Sequence, residues 1–182
     1  ELEEKLGAAQ GRAHVVFAFL LNHFRAPFRS TLPIAHKGIS QALEAGDLLR
    51  ASYGHFSVVE TLVFAVTQLD SALSRLETHL TFCRKVGGTL GIEVLIGVRQ
   101  AIRCLKNLTR QRGHFDDAEF EEDAFLVSMR GHRRALGDYA CLRLWVSSLL
   151  GDHEHALAMA ERAAHELPFF ILSAAHVQYV FH

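Results

Sequence analysis

Apolar stripes of two widths alternate along this chain, each at helical spacing. Broad stripes run through "SVVETLVFAV" (57–66) and "IEVLIGVRQAI" (92–102). Narrow stripes are carried by Phe28, Leu32, Ala35, Ile39, Ala42 and Leu43, and again by Leu69, Ala72, Leu73, Leu76, Leu80 and Cys83. A stack of helical hairpins produces this alternation, because one helix of each pair is sandwiched and the other keeps an exposed back. Only three prolines interrupt the 182 residues, and no stretch alternates with the period of a strand. The expected fold is all-α, a superhelical stack of antiparallel helix hairpins with about nine helices. A closed bundle is its structural rival.

Expected helices cover roughly 2–24, 29–45, 48–66, 70–86, 89–108, 118–129, 134–150 and 152–168, with a ninth after Pro168. Gly46-Asp47, Gly87-Gly88 and Gly151-Asp152 mark turns, and Asp70 and Asp152 are expected N-caps. The narrow helices start near 28, 69, 117 and 152, spacings of about 35 to 48 residues, as in helical repeats. The whole of 1–182 reads as a single helical-repeat domain. The chain opens at Glu1 and closes on "AAHVQYVFH", so it is expected to be a segment of a longer protein.

The stretch "LLGDHEHALAMAERAAHELP" (149–168) sharpens the expectation. At 3.6 residues per turn, Ala156, Ala160, Ala163 and Leu167 share one face, and Ala158, Glu161, Arg162 and His165 the opposite one. A face of methyl groups lets a partner helix approach closely, and Pro168 is expected to stop the helix. This stretch resembles the second half of a tetratricopeptide repeat. Gly151 and Asp152 match its central turn, Ala156 and Ala163 two small positions, and Pro168 the closing proline. Ala160 departs from the pattern, and Leu144 stands where the family prefers glycine.

A wider resemblance is carried, in order, by "HFRAPFRSTLPIAHKGISQALEAGDLLRASYG", "LSRLETHLTFCRKVG", "RGHFDDAEFEEDAFL" and "LWVSSLLGDHEHALAMAERA". These patches resemble the tetratricopeptide-like middle region of large multidomain bacterial signalling proteins. Such proteins combine a serine/threonine-kinase-like domain, a signal-transduction ATPase, this helical region, a GAF domain and often a histidine kinase. The resemblance implies a non-catalytic, cytoplasmic interaction or relay module. It transfers no functional residue, because the chemistry of those proteins lies in other modules.

The residues themselves show little chemistry. No GxxxxGK[ST] loop is present, and "KVGGTLG" (85–91) follows a helix rather than a strand, so it reads as a turn. Kinase and phosphoacceptor signatures are missing. Cys83, Cys104 and Cys141 form no CxxC and sit in apolar helical stretches, as buried reduced thiols do. Asn107-Leu108-Thr109 is a glycosylation sequon without a signal peptide to bring it into use. Twelve histidines are many, yet His153 and His155 lie about 200° apart on a helix and cannot share an ion. His132 would have to join them through the fold. No metal, cofactor or catalytic residue is therefore expected.

Net charge is −1, which argues against a general nucleic-acid or acidic-membrane binder. Val15–Leu21 is too short to span a bilayer, and Glu60 interrupts Val58–Val66. Arg99, Arg103, Lys106 and Arg110 are read as one face of the fifth helix. Asp116, Asp117, Glu119, Glu121, Glu122 and Asp123 follow. The basic face is the candidate partner-docking surface, for an acidic peptide or a neighbouring domain. The alternatives are a sensor that holds a peptide or small molecule in a concave groove, and an α-helical enzyme built on histidine or carboxylate chemistry.

Overall fold

The computed structural model describes residues 2–65, 68–87, 89–170 and 179–180. Among these residues the fold is all-α, without strands. Its eight α-helices are α1 (Leu2–Val16), α2 (Thr31–Glu44), α3 (Leu48–Phe64), α4 (Leu69–Val86), α5 (Thr89–Leu105), α6 (Glu122–Ser128), α7 (Arg133–Leu150) and α8 (His153–Phe170). None is long and apolar enough to cross a membrane. The helices fall into two compact units, Glu1–Leu95 and Ile96–His182, divided within α5.

In the first unit α1 packs on α2, α2 on α3 and α3 on α4. Glycines set how closely the first two helices cross. A Cβ on Gly38 of α2 would stand 2.8 Å from Val15 Cγ2 and 2.9 Å from Val15 N of α1. One on Gly11 of α1 would stand 3.0 Å from Gln41 Cβ of α2. The widths of the apolar stripes are as expected. Sandwiched α3 buries residues on every side, from Ala51 to Val63, whereas α4 buries only Ala72, Leu76, Leu80 and Cys83. In the second unit α7 packs on α8, and α7 is buried almost all round.

Two hairpins are closed by the same Gly-Asp turn. Gly46 and Gly151 both take the left-handed conformation, with φ of 69° and 76°. The next amide reaches back five residues, Asp47 N–H to Ala42 O at 2.8 Å and Asp152 N–H to Ser147 O at 3.0 Å. This is the Schellman closure of a helix. The same aspartates then open the next helix. Asp47 Oδ1 accepts from Arg50 N–H and Asp152 Oδ1 from His155 N–H, each at 3.1 Å.

Several element boundaries differ from those expected. The first helix stops at Val16, and a wide turn (17–21) and a tight one (22–24) follow. They deliver Asn22 to the interior, where its amide donates to Ser30 Oγ at 2.8 Å and Thr31 Oγ1 at 2.9 Å. Gln68, not Asp70, precedes α4, and Asp70 lies in its first turn, where a carboxylate favours the helix dipole. Pro168 does not stop α8, which continues to Phe170. The carbonyl left without a donor belongs to Ala164, on the exposed side, where water can satisfy it. Eight helices rather than nine are present among the described residues. The ninth, placed after Pro168, falls largely outside them.

Candidate functional site

The polar centre of the second unit is the segment between α5 and α7. α5 was expected to reach 108 but ends at Leu105, because Asn107 takes a left-handed φ of 55°. Leu108 N–H then bonds to Arg103 O at 2.8 Å, closing the helix as a glycine turn would. The next helix was expected at 118 but begins at Glu122. Asp117 Oδ1 accepts from Glu119 N–H at 2.7 Å and Asp117 N–H bonds to Phe120 O, a local turn that competes with helix. Asp116 Oδ1 then accepts Glu122 N–H at 2.7 Å.

Two clasps hold this segment. In the first, Asp117 Oδ2 accepts from Gln100 Nε2 and from Arg103 Nε, both at 2.8 Å. Gln100 is fully buried and its amide also donates to Phe115 O. Burial alone would raise the Asp117 carboxyl, but the bonds from Gln100 and Glu119 N–H, with the Arg103 charge, bring it net below the usual range.

In the second clasp Arg143 of α7 is only 4% exposed. Its guanidinium lies 4.4 Å over the buried Phe115 ring. Nη1 donates to Gly113 O at 2.7 Å and Nη2 to His155 Nε2 at 2.8 Å. Nε stands 3.1 Å from Glu122 Oε1, an ion pair too bent for a hydrogen bond. The same carboxylate oxygen accepts from Tyr139 O–H at 2.7 Å. Burial and the Glu122 charge push the Tyr139 phenol up, so it stays a donor. Burial and the Arg143 charge lower His155, which keeps its accepting nitrogen free of a proton. Each polar group of the clasp is committed to a partner within the unit, and its effect is to fix the loop at 106–121 against α5 and α7.

The candidate docking residues are divided by this arrangement. Only Arg99 and Arg103 lie on α5, and Lys106 and Arg110 lie beyond its end, so the four do not form one helix face. Arg103 is bound to Asp117, and Arg110 Nη2 pairs with Glu121 Oε1 at 2.6 Å on the surface. Arg99 Nε donates to the neighbouring Gln100 Oε1 at 3.3 Å. The acidic run after the basic residues therefore supplies internal partners for Arg103 and Arg110.

The other candidate features also have places. His132 and His153 are exposed, and His155 makes the contact with Arg143. No group of three or more His, Cys, Asp or Glu side chains is arranged to hold a metal ion among the described residues. Cys83, Cys104 and Cys141 are free and buried, and burial pushes the Cys83 thiol up to about 11.

Two features were not legible in the sequence. On α4, Glu77, Thr78, Thr81, Phe82 and Lys85 line an open groove of about 490 Å³. Between α3 and α4 the His55 and His79 rings face one another, with centroids 4.7 Å apart. Their separation of 24 residues matches no ligand spacing, and only the antiparallel pairing of two helices brings them together. No family model, no curated protein and no solved structure matches this chain.

Proposed function

We propose that this chain is a tetratricopeptide-like interaction and relay module of a larger cytoplasmic signalling protein, with no catalytic role of its own. The observation that carries the reading is the recurrence of one Gly-Asp turn, at 46–47 and 151–152, with the same back-bond and the same aspartate cap. A repeated hairpin closure is the mark of a stacked helical array, and such arrays act through extended binding surfaces. The buried charges of the second unit serve to stiffen it, and the basic surface carrying Arg99, Arg103, Lys106 and Arg110 meets an acidic surface of a neighbouring domain.

The groove on α4 favours a second reading, a sensor for a peptide. Phe82, Glu77 and Lys85 are among the residues that line it. Replacing 1–182 by a flexible linker of equal reach in the parent protein separates relay from catalysis. The relay reading expects the parent's catalytic turnover to persist while its output stops following the input. Output that still follows the input rejects it.

A further inference from the structure

We propose that the facing imidazoles of His55 on α3 and His79 on α4 form a labile binding site for a borderline transition-metal cation of the zinc class. Their Nδ1 atoms stand 2.5 Å apart. At that separation only one of the two can carry a proton, and the other must present its lone pair. Both rings are half-buried, and the Phe82 ring lies 4.3 Å from His55 as an apolar wall. Two imidazole nitrogens brought together from different helices become a chelate once the rings turn both lone pairs onto one ion, and imidazole is a preferred ligand of zinc, copper and nickel.

To accept the ion the two rings must both part and turn. With Zn–N bonds of about 2.0–2.1 Å in a tetrahedral site, the two nitrogens would be about 3.3 Å apart. An opening of somewhat under 1 Å is within the reach of side-chain rotation. The shared proton passes by way of solvent to the Nε2 of the ring that held it, so that both rings stay neutral, the two Nδ1 lone pairs bind the ion, and water fills the remaining positions.

His55 is lowered to about 4 by burial and by His36, and His79 to about 4 by burial, His55, His36 and Arg75. The same surroundings limit affinity. His36 of α2 and Arg75 of α4, the other charges acting on the pair, are cationic when charged and repel a metal ion. Nor does the buried His55 Nε2 have a hydrogen-bond partner, whereas a ligating histidine ordinarily donates its second N–H to an acceptor. The site is therefore exchangeable rather than structural.

The test is calorimetric titration of zinc chloride into the chelator-treated chain at pH 7, with His55→Gln, His79→Gln and, as a control, the exposed His153→Gln. The proposal expects a site that weakens at least about tenfold in each of the first two variants and is kept in the third. Ring-nitrogen NMR of the unaltered chain gives a readout free of any folding defect. His55 and His79 resonances should move at lower zinc than those of the other ten histidines, of the twelve in the chain. Equal binding by all three variants, or earlier movement of other histidines, means adventitious binding and overturns the proposal.

Discussion

Ala163 of α8 rests on Cys141 of α7 with none of its own surface exposed. Ala140 completes the contact, so three small side chains line the seam between the two helices. Ala163→Leu would have to push the helices apart, at an expected cost of about 1–3 kcal/mol. Ala158 is exposed on the same helix, and Ala158→Leu should change stability by no more than about 0.5 kcal/mol. Helix propensity is nearly equal for the two, so the difference between their denaturation curves reads packing alone. Matching effects would mean that the alanines do not set the spacing.

The crossing of α1 and α2 makes a parallel demand on Gly38. Alanine there gains about 1 kcal/mol of helix propensity, yet its methyl group meets the Val15 backbone nitrogen, which cannot rotate aside. The expected net effect of Gly38→Ala is a loss of about 1–2 kcal/mol. Lys37→Ala, exposed one residue earlier, should lie within about 0.5 kcal/mol of the parent. A stabilised Gly38→Ala in urea denaturation would show that the two helices can part without cost.

Buried and exposed ion pairs of the second unit should behave differently. Arg143→Met strips Glu122 of its cation and leaves Gly113 O and His155 without their donor. A cost of about 3 kcal/mol is expected, with faster amide exchange across 106–121. The Arg110–Glu121 pair is more than half exposed on both sides, and Arg110→Ala should change stability by less than about 1 kcal/mol. Comparable losses from the two variants would contradict the assignment of Arg143 as the residue that fixes the loop.

The histidine pair gives the first unit an acid-sensitive seam. In the folded state His55 and His79 become cationic only near pH 4, whereas an unfolded histidine does so near 6.5. Between those values the unfolded chain binds more protons, so stability falls as pH drops from 6.5 towards 4. The full contribution is present above 6.5 and gone below 4. Asp117 is shifted down, so its loss comes in a lower window, as pH falls below the usual carboxylate value of 3.8. A His55→Gln, His79→Gln double variant should flatten the dependence of the melting temperature between pH 6.5 and 5. An unchanged slope would show that the pair is not strained by protonation.

Stripe width, the Gly-Asp turns and the small face of α8 were legible in the sequence because each depends on local spacing. Asp152 caps its helix and Ala156 and Ala163 are buried, as the period requires. Boundaries set by tertiary partners were not legible. Asn22 ends the first helical run by reaching Ser30 and Thr31, and Asp117 delays α6 by taking Gln100 and Arg103 as partners. Arg103 and Arg110 read as a basic face because their acidic partners, Asp117 and Glu121, lie 14 and 11 residues further on, across a loop whose course spacing does not reveal. The glycines at 11 and 38 carry no positional signal until the two helices are seen to cross.

The relay proposal requires the chain to bind a neighbouring domain of a larger protein. Calorimetric titration of the purified chain with each separately produced neighbouring domain tests it most directly. Saturable one-to-one binding to at least one domain is expected, weakening as salt rises and weakened at least about tenfold by the double variant Arg99→Glu, Lys106→Glu. Circular dichroism should show that this variant keeps its helices. Absence of binding to every neighbouring domain, or binding indifferent to both salt and the double variant, would contradict it.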